Sequence, residues 1–324
     1  MALRTRLTER LGISHPVLLA PMGGISGGQL AGAVSDAGGL GLIGGGYGEK
    51  AWLEREFAAA GNRRVGCGFI TWSLAKEPRL LDLVLAYRPA ALMLSFGDPR
   101  PFAMRIQAAE VPLICQVQSR DHALQALDAG AEIIVAQGTE AGGHGGSRGT
   151  LPLVPALVDL MARRAPQAMV VAAGGIADGR GLAAALALGA EGVLVGTRFY
   201  ATVESLGHDK AKARILATSG DATVRTTVFD TVRGYRWPDG ITGRALRNDF
   251  TARWHSREPE LAAELEDEKL RYQAAAARGD VDTVVVFAGE CTDLIDDVPP
   301  AGEMVARLVR EAERALAVAT GCVV

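Results

Sequence analysis

Cysteine is scarce in this chain: four in 324 residues, Cys67, Cys115, Cys291 and Cys322, with no C-x-x-C pair among them. That argues against a disulfide-stapled fold and the usual zinc spacings, and leaves reduced, mostly buried thiols as the expectation. Cys322 stands third from the end, one place off a prenylation box. Aromatics make up 5% of residues, and no apolar run reaches the roughly 18 residues of a membrane-spanning helix. The opening stretch, MALRTRLTERLG, mixes charge throughout and lacks the apolar core of a signal peptide. A cytoplasmic chain with no membrane partner is therefore expected. The net charge is −3 and Lys/Arg runs are missing, so no nucleic-acid face is expected. There is no H-x-H, no H-E-x-x-H and no strand-end carboxylate cluster, so no metal site is expected.

Glycine, by contrast, is abundant, with 40 residues clustered after short apolar runs rather than spread as a linker. Eight such runs occur, at 17–22, 40–44, 65–70, 91–96, 113–117, 133–137, 169–173 and 193–196. They are continuous rather than alternating, as parallel strands covered on both faces should be. The segments between them read as helices: 29–37 ends at Gly38-Gly39, Ser119 can cap 122–129, and Asp178 can cap 182–188. Eight βα units in series predict an α/β fold, a (β/α)8 TIM barrel, rather than an open doubly wound sheet. The first strand ends Ala20-Pro21-Met22-Gly23-Gly24 instead of G-x-G-x-x-G, and no P-loop pattern occurs.

After about Ala201 the chain becomes more charged and carries Trp237, Trp254 and a helical stretch over 258–277. The predicted division is a barrel of 1–202 plus 291–324, with 203–290 a mainly helical insertion or lid over its mouth. The amphipathic segment 300–318 is expected to return to the barrel wall.

Barrel sites lie at the C-terminal ends of the strands, and phosphates often bind the loops after strands 7 and 8. Those loops read Ala173-Gly174-Gly175-Ile176-Ala177-Asp178-Gly179 and Gly196-Thr197-Arg198-Phe199. Exposed N–H groups, a helix N-terminus and the Thr197 hydroxyl suit one phosphate; the alternative is a pair of tight βα turns. Pro21, Met22, Gln116 and Gln137 would offer apolar surface and two amides to a flat heteroaromatic ring, although the glutamines could equally be inert strand-tip residues. The longer step between the sixth and seventh runs holds Gln137-Gly138-Thr139-Glu140-Ala141-Gly142-Gly143-His144-Gly145-Gly146. His144 is the one imidazole so placed, and a side chain of pKa near 6.5 suits proton abstraction around neutrality; a solvent-exposed loop histidine is the alternative. The remaining histidines (His15, His122, His208 and His255) sit in a turn, on a helix or in the charged C-terminal region.

These motifs together resemble the flavin-dependent nitronate monooxygenases, formerly 2-nitropropane dioxygenases, which share their fold with FMN-dependent enoyl-ACP reductases. The resemblance rests on 20–24, 33–41, 137–144, 173–179 and 196–199, in order over about 180 residues. It implies non-covalent FMN, with its phosphate on Gly174, Gly175, Gly196 and Thr197 and its ring near Pro21, Met22, Gly23, Gln116 and Gln137. Ala141, Gly142, Gly143 and Ala173 would complete the cofactor wall, and His144 would be the catalytic base or the group that orients the substrate. The implied partners are a small nitronate, of the propionate 3-nitronate type, and O2, with a carbonyl compound and nitrite as products and no nicotinamide consumed. An NAD(P)H-dependent reductase of enoyl thioesters or quinones is the alternative on the same scaffold, and a homo-oligomer is compatible with either. Many relatives carry asparagine where this chain has Ile70, so one flavin hydrogen bond would be missing here or supplied by Thr71 or by backbone. The remaining pocket walls are expected from Trp72, the insertion and neighbouring loops.

Overall fold

The computed structural model describes residues 3–321, so Cys322 lies outside the described residues. The strands in chain order are β1 (Val17–Leu19), β2 (Leu42–Gly44), β3 (Gly66–Ile70), β4 (Leu92–Ser95), β5 (Leu113–Val117), β6 (Ile133–Gln137), β7 (Gly143–Gly145), β8 (Met169–Ala173), β9 (Val193–Val195), β10 (Thr223–Thr226) and β11 (Thr242–Leu246). Eight of them form one parallel sheet in the order β1-β9-β8-β6-β5-β4-β3-β2. Its two edges meet at Leu40, whose N–H donates to Val17 O and whose carbonyl accepts from Leu19 N–H, both at 3.0 Å. The expected (β/α)8 barrel therefore forms and closes.

The continuous apolar runs follow from burial on both sides. Leu18, Met93, Ile133, Val135 and Val171 fill the lumen, together with Leu7 and Leu11 of the helix Arg6–Leu11. Their neighbours Val17, Leu92, Ile134 and Val170 turn outward against the helix layer. Side chains alternate between two apolar layers, so the period-2 pattern is invisible in the sequence. Ser119 and Asp178 cap their helices as expected, accepting from His122 N–H and from Arg180 and Gly181 N–H. Cys67, Cys115 and Cys291 are buried and unpaired.

The last helix, Ala301–Thr320, packs between Gly179–Ala187 and Gly28–Asp36, completing the helical ring after a long excursion. Gly179 permits this approach, since a Cβ there would lie 2.2 Å from the Ala312 nitrogen. Buried Arg198, just past β9, pairs with Asp297 and ties the strand end to the returning chain.

Between these points the chain builds a smaller core around Phe229, Phe250, Trp254, Leu261 and Tyr272. Five helices (Asp209–Leu216, Val228–Arg233, Asp249–Trp254, Glu258–Ala263 and Leu265–Ala277) accompany β10 and β11, and the helical stretch expected at 258–277 breaks at Glu264. β10 and β11 form an antiparallel sheet with β7, pairing His144 with Gly243. The glycine-histidine loop is thus a strand of a second sheet. Among the described residues no helix is long and apolar enough to cross a membrane.

Candidate active site

A cavity of about 590 Å³ opens at the C-terminal ends of the barrel strands, within the size range of ligand pockets. His144 and the residues expected to contact the cofactor all line it, whereas Thr71 and Trp72 do not. Pro21, Met22 and Gly23 come from the end of β1, Gln116 from β5, and Gln137 from β6. Ala141, Gly142, Gly143 and His144 follow β6, Ala173, Gly174 and Gly175 come from the end of β8, and Gly196 and Thr197 follow β9. Among the described residues no group of three His, Cys, Asp or Glu could hold a metal ion.

At the β8–β9 side the wall is made of backbone donors. Gly174 and Gly175 have φ of +105° and +73°, which turns their amides out of the strand direction. Among the described residues no protein acceptor takes up the N–H groups of Gly174, Gly175, Gly196 or Thr197. Four unspent donors beside the start of the helix Thr197–Tyr200 form a concavity that suits an anion. Glu140 holds this wall from behind: its carboxylate accepts from the N–H and hydroxyl of Thr150, at 2.7 to 3.0 Å. Thr197 Oγ1 accepts from Gly289 N–H at 3.0 Å and keeps its own proton to donate.

Across the cavity an amide network sets the histidine. Gln137 Oε1 accepts from Gln116 Nε2 (3.1 Å) and from buried Gln118 Nε2 (2.9 Å), while Gln137 Nε2 donates to the His144 carbonyl (2.9 Å). Gln137 therefore anchors the loop, and Gln118, two residues beyond Gln116, completes the network. Arg225 and Arg244 fix the same loop from the insertion side, both donating to the Thr139 carbonyl. Ile70 lines the cavity, whereas Thr71 is 1% exposed and lies outside its wall.

His144 is buried, and its Nε2 lies 2.9 and 3.0 Å from the two carboxylate oxygens of Asp230. A carboxylate accepts, so Nε2 carries the proton and Nδ1 the lone pair. Burial lowers the imidazole pKa below its ordinary value, Asp230 pulls the other way by hydrogen bond and charge, and Arg233 and Arg225 lower it further. The ring is therefore neutral at pH 7 yet sits beside a carboxylate that would stabilise its charged form.

Trp237 stacks on His144 with centroids 3.5 Å apart and planes 7° from parallel. Tyr47, after β2, stacks on Tyr235 at 3.7 Å, and Trp72 and Phe96 meet Trp237 edge-on. Tyr47, Phe96, Tyr235 and Trp237 line the cavity as an aromatic cluster bridging the barrel loops and the insertion, whereas Trp72, expected as a pocket wall, lies outside the lining and only meets Trp237 edge-on. Asp230, Arg233, Tyr235 and Gln118 are among the site residues that the sequence did not single out, and it marked Trp237 only as part of the insertion. A cluster such as Tyr235-Arg236-Trp237, placed between glycines in an aromatic-poor chain, was the one local signal.

A glycine-walled cavity at the strand ends of a (β/α)8 barrel, holding a buried imidazole–carboxylate pair, is the architecture of a barrel enzyme. The family model for nitronate monooxygenase matches residues 4–63 and 70–311. The chain is 33% identical to the nitronate monooxygenase of Neurospora crassa, covering 92% of this chain and 89% of that protein. It is 29% identical to an octahydroindene-carboxyl-CoA dehydrogenase of Mycobacterium tuberculosis, covering 96% and 97%. Among solved structures, FabK from Thermotoga maritima superposes with a TM-score of 0.87 at 30% identity, covering 99% of both chains. This chain belongs to the nitronate monooxygenase family, and it is an oxidoreductase.

Proposed function

We propose that this enzyme binds FMN and oxidises alkyl nitronates of the propionate 3-nitronate type with O2, giving a carbonyl compound and nitrite without consuming NAD(P)H. The observation that carries the reading is His144, neutral and paired with Asp230, on the wall of a cavity whose opposite side offers four unspent backbone donors. Gly174, Gly175, Gly196 and Thr197 fit a phosphate, and the apolar surface from Pro21 to Gly23 fits a flat ring. Ala141, Gly142, Gly143 and Ala173 close the wall between them, with Gln116 at the ring's edge. FMN, when bound, supplies the one-electron chemistry between nitronate and O2. We read residues 203–290 as the lid that completes the pocket on a barrel formed by 1–202 and 291–324.

The residues themselves handle the proton. A neutral nitroalkane must lose its α-hydrogen as a proton to become a nitronate, and Nδ1 of neutral His144 is the lone pair positioned for it. The imidazolium so formed is costly in a buried site, and the Asp230 carboxylate stabilises it while the nitronate anion forms opposite. Nitronates supplied ready-made need no such step. Trp237 covers one face of the ring and keeps it from bulk water.

Asp230→Asn is therefore expected to slow turnover of neutral nitroalkanes by about 10- to 100-fold, less than the roughly 10²- to 10⁴-fold of a lost acid–base group because Asp230 acts through His144. Preformed nitronates should be nearly unaffected. The acid limb of kcat/KM should also move to lower pH, because losing Asp230 removes the interactions that raise the His144 pKa while burial remains. An acid limb that stays in place would remove Asp230 from this role.

The second reading is an NAD(P)H-dependent reductase of enoyl thioesters or quinones, supported by the likeness to FabK and to a carboxyl-CoA dehydrogenase. Anaerobic stopped-flow mixing separates the two. Propionate 3-nitronate should reduce the bound flavin rapidly and NADH should not; the reverse result overturns the nitronate reading.

A further inference from the structure

Arg233 ends the helix Val228–Arg233 three residues after Asp230, and it lines the cavity. Its guanidinium lies 4.9 Å from the Tyr235 ring centroid, 5.8 Å from that of Tyr47 and 6.0 Å from that of Phe287. Aromatic faces orient a guanidinium by attraction to its charge but leave its N–H edges unspent. Nη1 is buried and donates to nothing. Among the described residues no carboxylate forms an ion pair with Arg233, including Glu49 on the same cavity wall. Arg198 Nε and Arg225 Nη2 are also buried without a partner, but those side chains are held by their other nitrogens, whereas among the described residues Arg233 makes no hydrogen bond or ion pair at all. Arg198 pairs with Asp297, Arg244 pairs with Glu290, and Arg225 donates to Thr139, Gly145 and Thr242.

A donor left unpaired in an apolar wall is destabilising unless a ligand satisfies it. The cofactor phosphate has its own cradle of backbone donors after β8 and β9, whereas Arg233 stands on the insertion side beside Tyr47 and Tyr235. We propose that Arg233 binds a carboxylate carried by the substrate, so that the enzyme prefers nitronates bearing an acid group over plain alkyl nitronates. The inference rests on the nitronate reading above and narrows it to a substrate class. A charge-assisted pair of this kind also fixes the nitro carbon relative to His144, because both contacts are made within one short molecule.

The test compares propionate 3-nitronate with propyl-1-nitronate, equal in chain length and lacking the carboxylate, by oxygen uptake on the FMN-loaded enzyme. The wild type should favour the acid by about 10- to 100-fold in kcat/KM, the range for a hydrogen bond to a charged group. Arg233→Gln should bring that ratio near one, mainly through KM, and Arg233→Lys should retain part of it. A wild type that does not discriminate, or an R233Q variant that slows both substrates equally, overturns the proposal. Titration with succinate and succinamide, followed by Trp237 fluorescence, reads the same site without turnover. If neither nitronate is oxidised, the reaction assigned above fails and the titration alone decides the carboxylate site. Succinate binding about tenfold or more weaker in R233Q, with succinamide unchanged, supports it; equal succinate affinity in both proteins overturns it.

Discussion

His144→Asn is expected to lower turnover of neutral nitroalkanes by about 10²- to 10⁴-fold, the range of a lost general base, while preformed nitronates stay within roughly tenfold of wild type. The contrast is chemical rather than structural, because the loop is fixed without the imidazole. Gln137 holds the His144 carbonyl, β7 pairs with β11 in register, and Arg225 and Arg244 grip the Thr139 carbonyl. Asparagine can still donate to Asp230 but has no basic lone pair. Oxygen uptake with nitroethane and with ethyl nitronate, measured on one FMN-loaded preparation, reads the difference directly. Equal loss on both substrates would sink the base role and leave His144 as a group that orients an anion. In the wild type, burial holds the imidazole pKa below about 6.5, so nitroalkane turnover should persist on acidification past the ordinary histidine range. The base form is present above the lowered pKa and is lost as pH falls through it.

The barrel was legible because its strands are short, apolar on both faces and punctuated by glycine, and those signals are local. Leu18 and Val17, or Val171 and Val170, serve opposite layers, yet both layers want the same residue types. The β8 and β9 loops were legible for a related reason: a backbone-lined wall demands glycine, and glycine is visible. His144 stood out through its neighbours. Its partner did not, because Asp230 lies 86 residues away and reaches it through the pairing of β7 with β11, where Gly243 meets His144. An antiparallel pairing between a glycine-rich loop and an inserted segment leaves no periodicity to read. Tyr235, Trp237 and Arg233 share that fate, since each acts through packing against barrel loops distant in sequence. Gln118 was hidden differently: beside Gln116 it resembles a strand tip entering a turn, and its role shows once Gln137 Oε1 is seen to accept from both amides. The elements whose physics is local were readable, and the His144–Asp230 pair is a product of tertiary structure.

Gly174→Val is expected to weaken FMN binding by about 100-fold. The backbone there has φ +105°, which a β-branched residue adopts at a cost of about 1–3 kcal/mol. A Cβ would also lie 2.9 Å from Thr150 Oγ1, 3.0 Å from Gly138 O and 3.2 Å from Ala141 N. Two of those atoms are backbone, and the third is held by Glu140, so none can swing aside. Overpacking adds roughly 1–3 kcal/mol, and even a combined effect of about 3 kcal/mol corresponds to about a hundredfold in affinity. The strain falls on the loop joining β6 to the wall of free N–H groups, so the phosphate cradle should distort before the barrel does. Gly143→Ala is the companion variant: its φ is +72°, but a Cβ there meets nothing within 4 Å. Backbone strain alone should cost about 1 kcal/mol and weaken FMN severalfold at most. Titrating FMN into both apo proteins, with circular dichroism confirming the fold, compares them on equal terms. If G174V binds FMN as tightly as the wild type, the phosphate does not rest on Gly174 and Gly175, and the cradle must be sought elsewhere along the cavity wall.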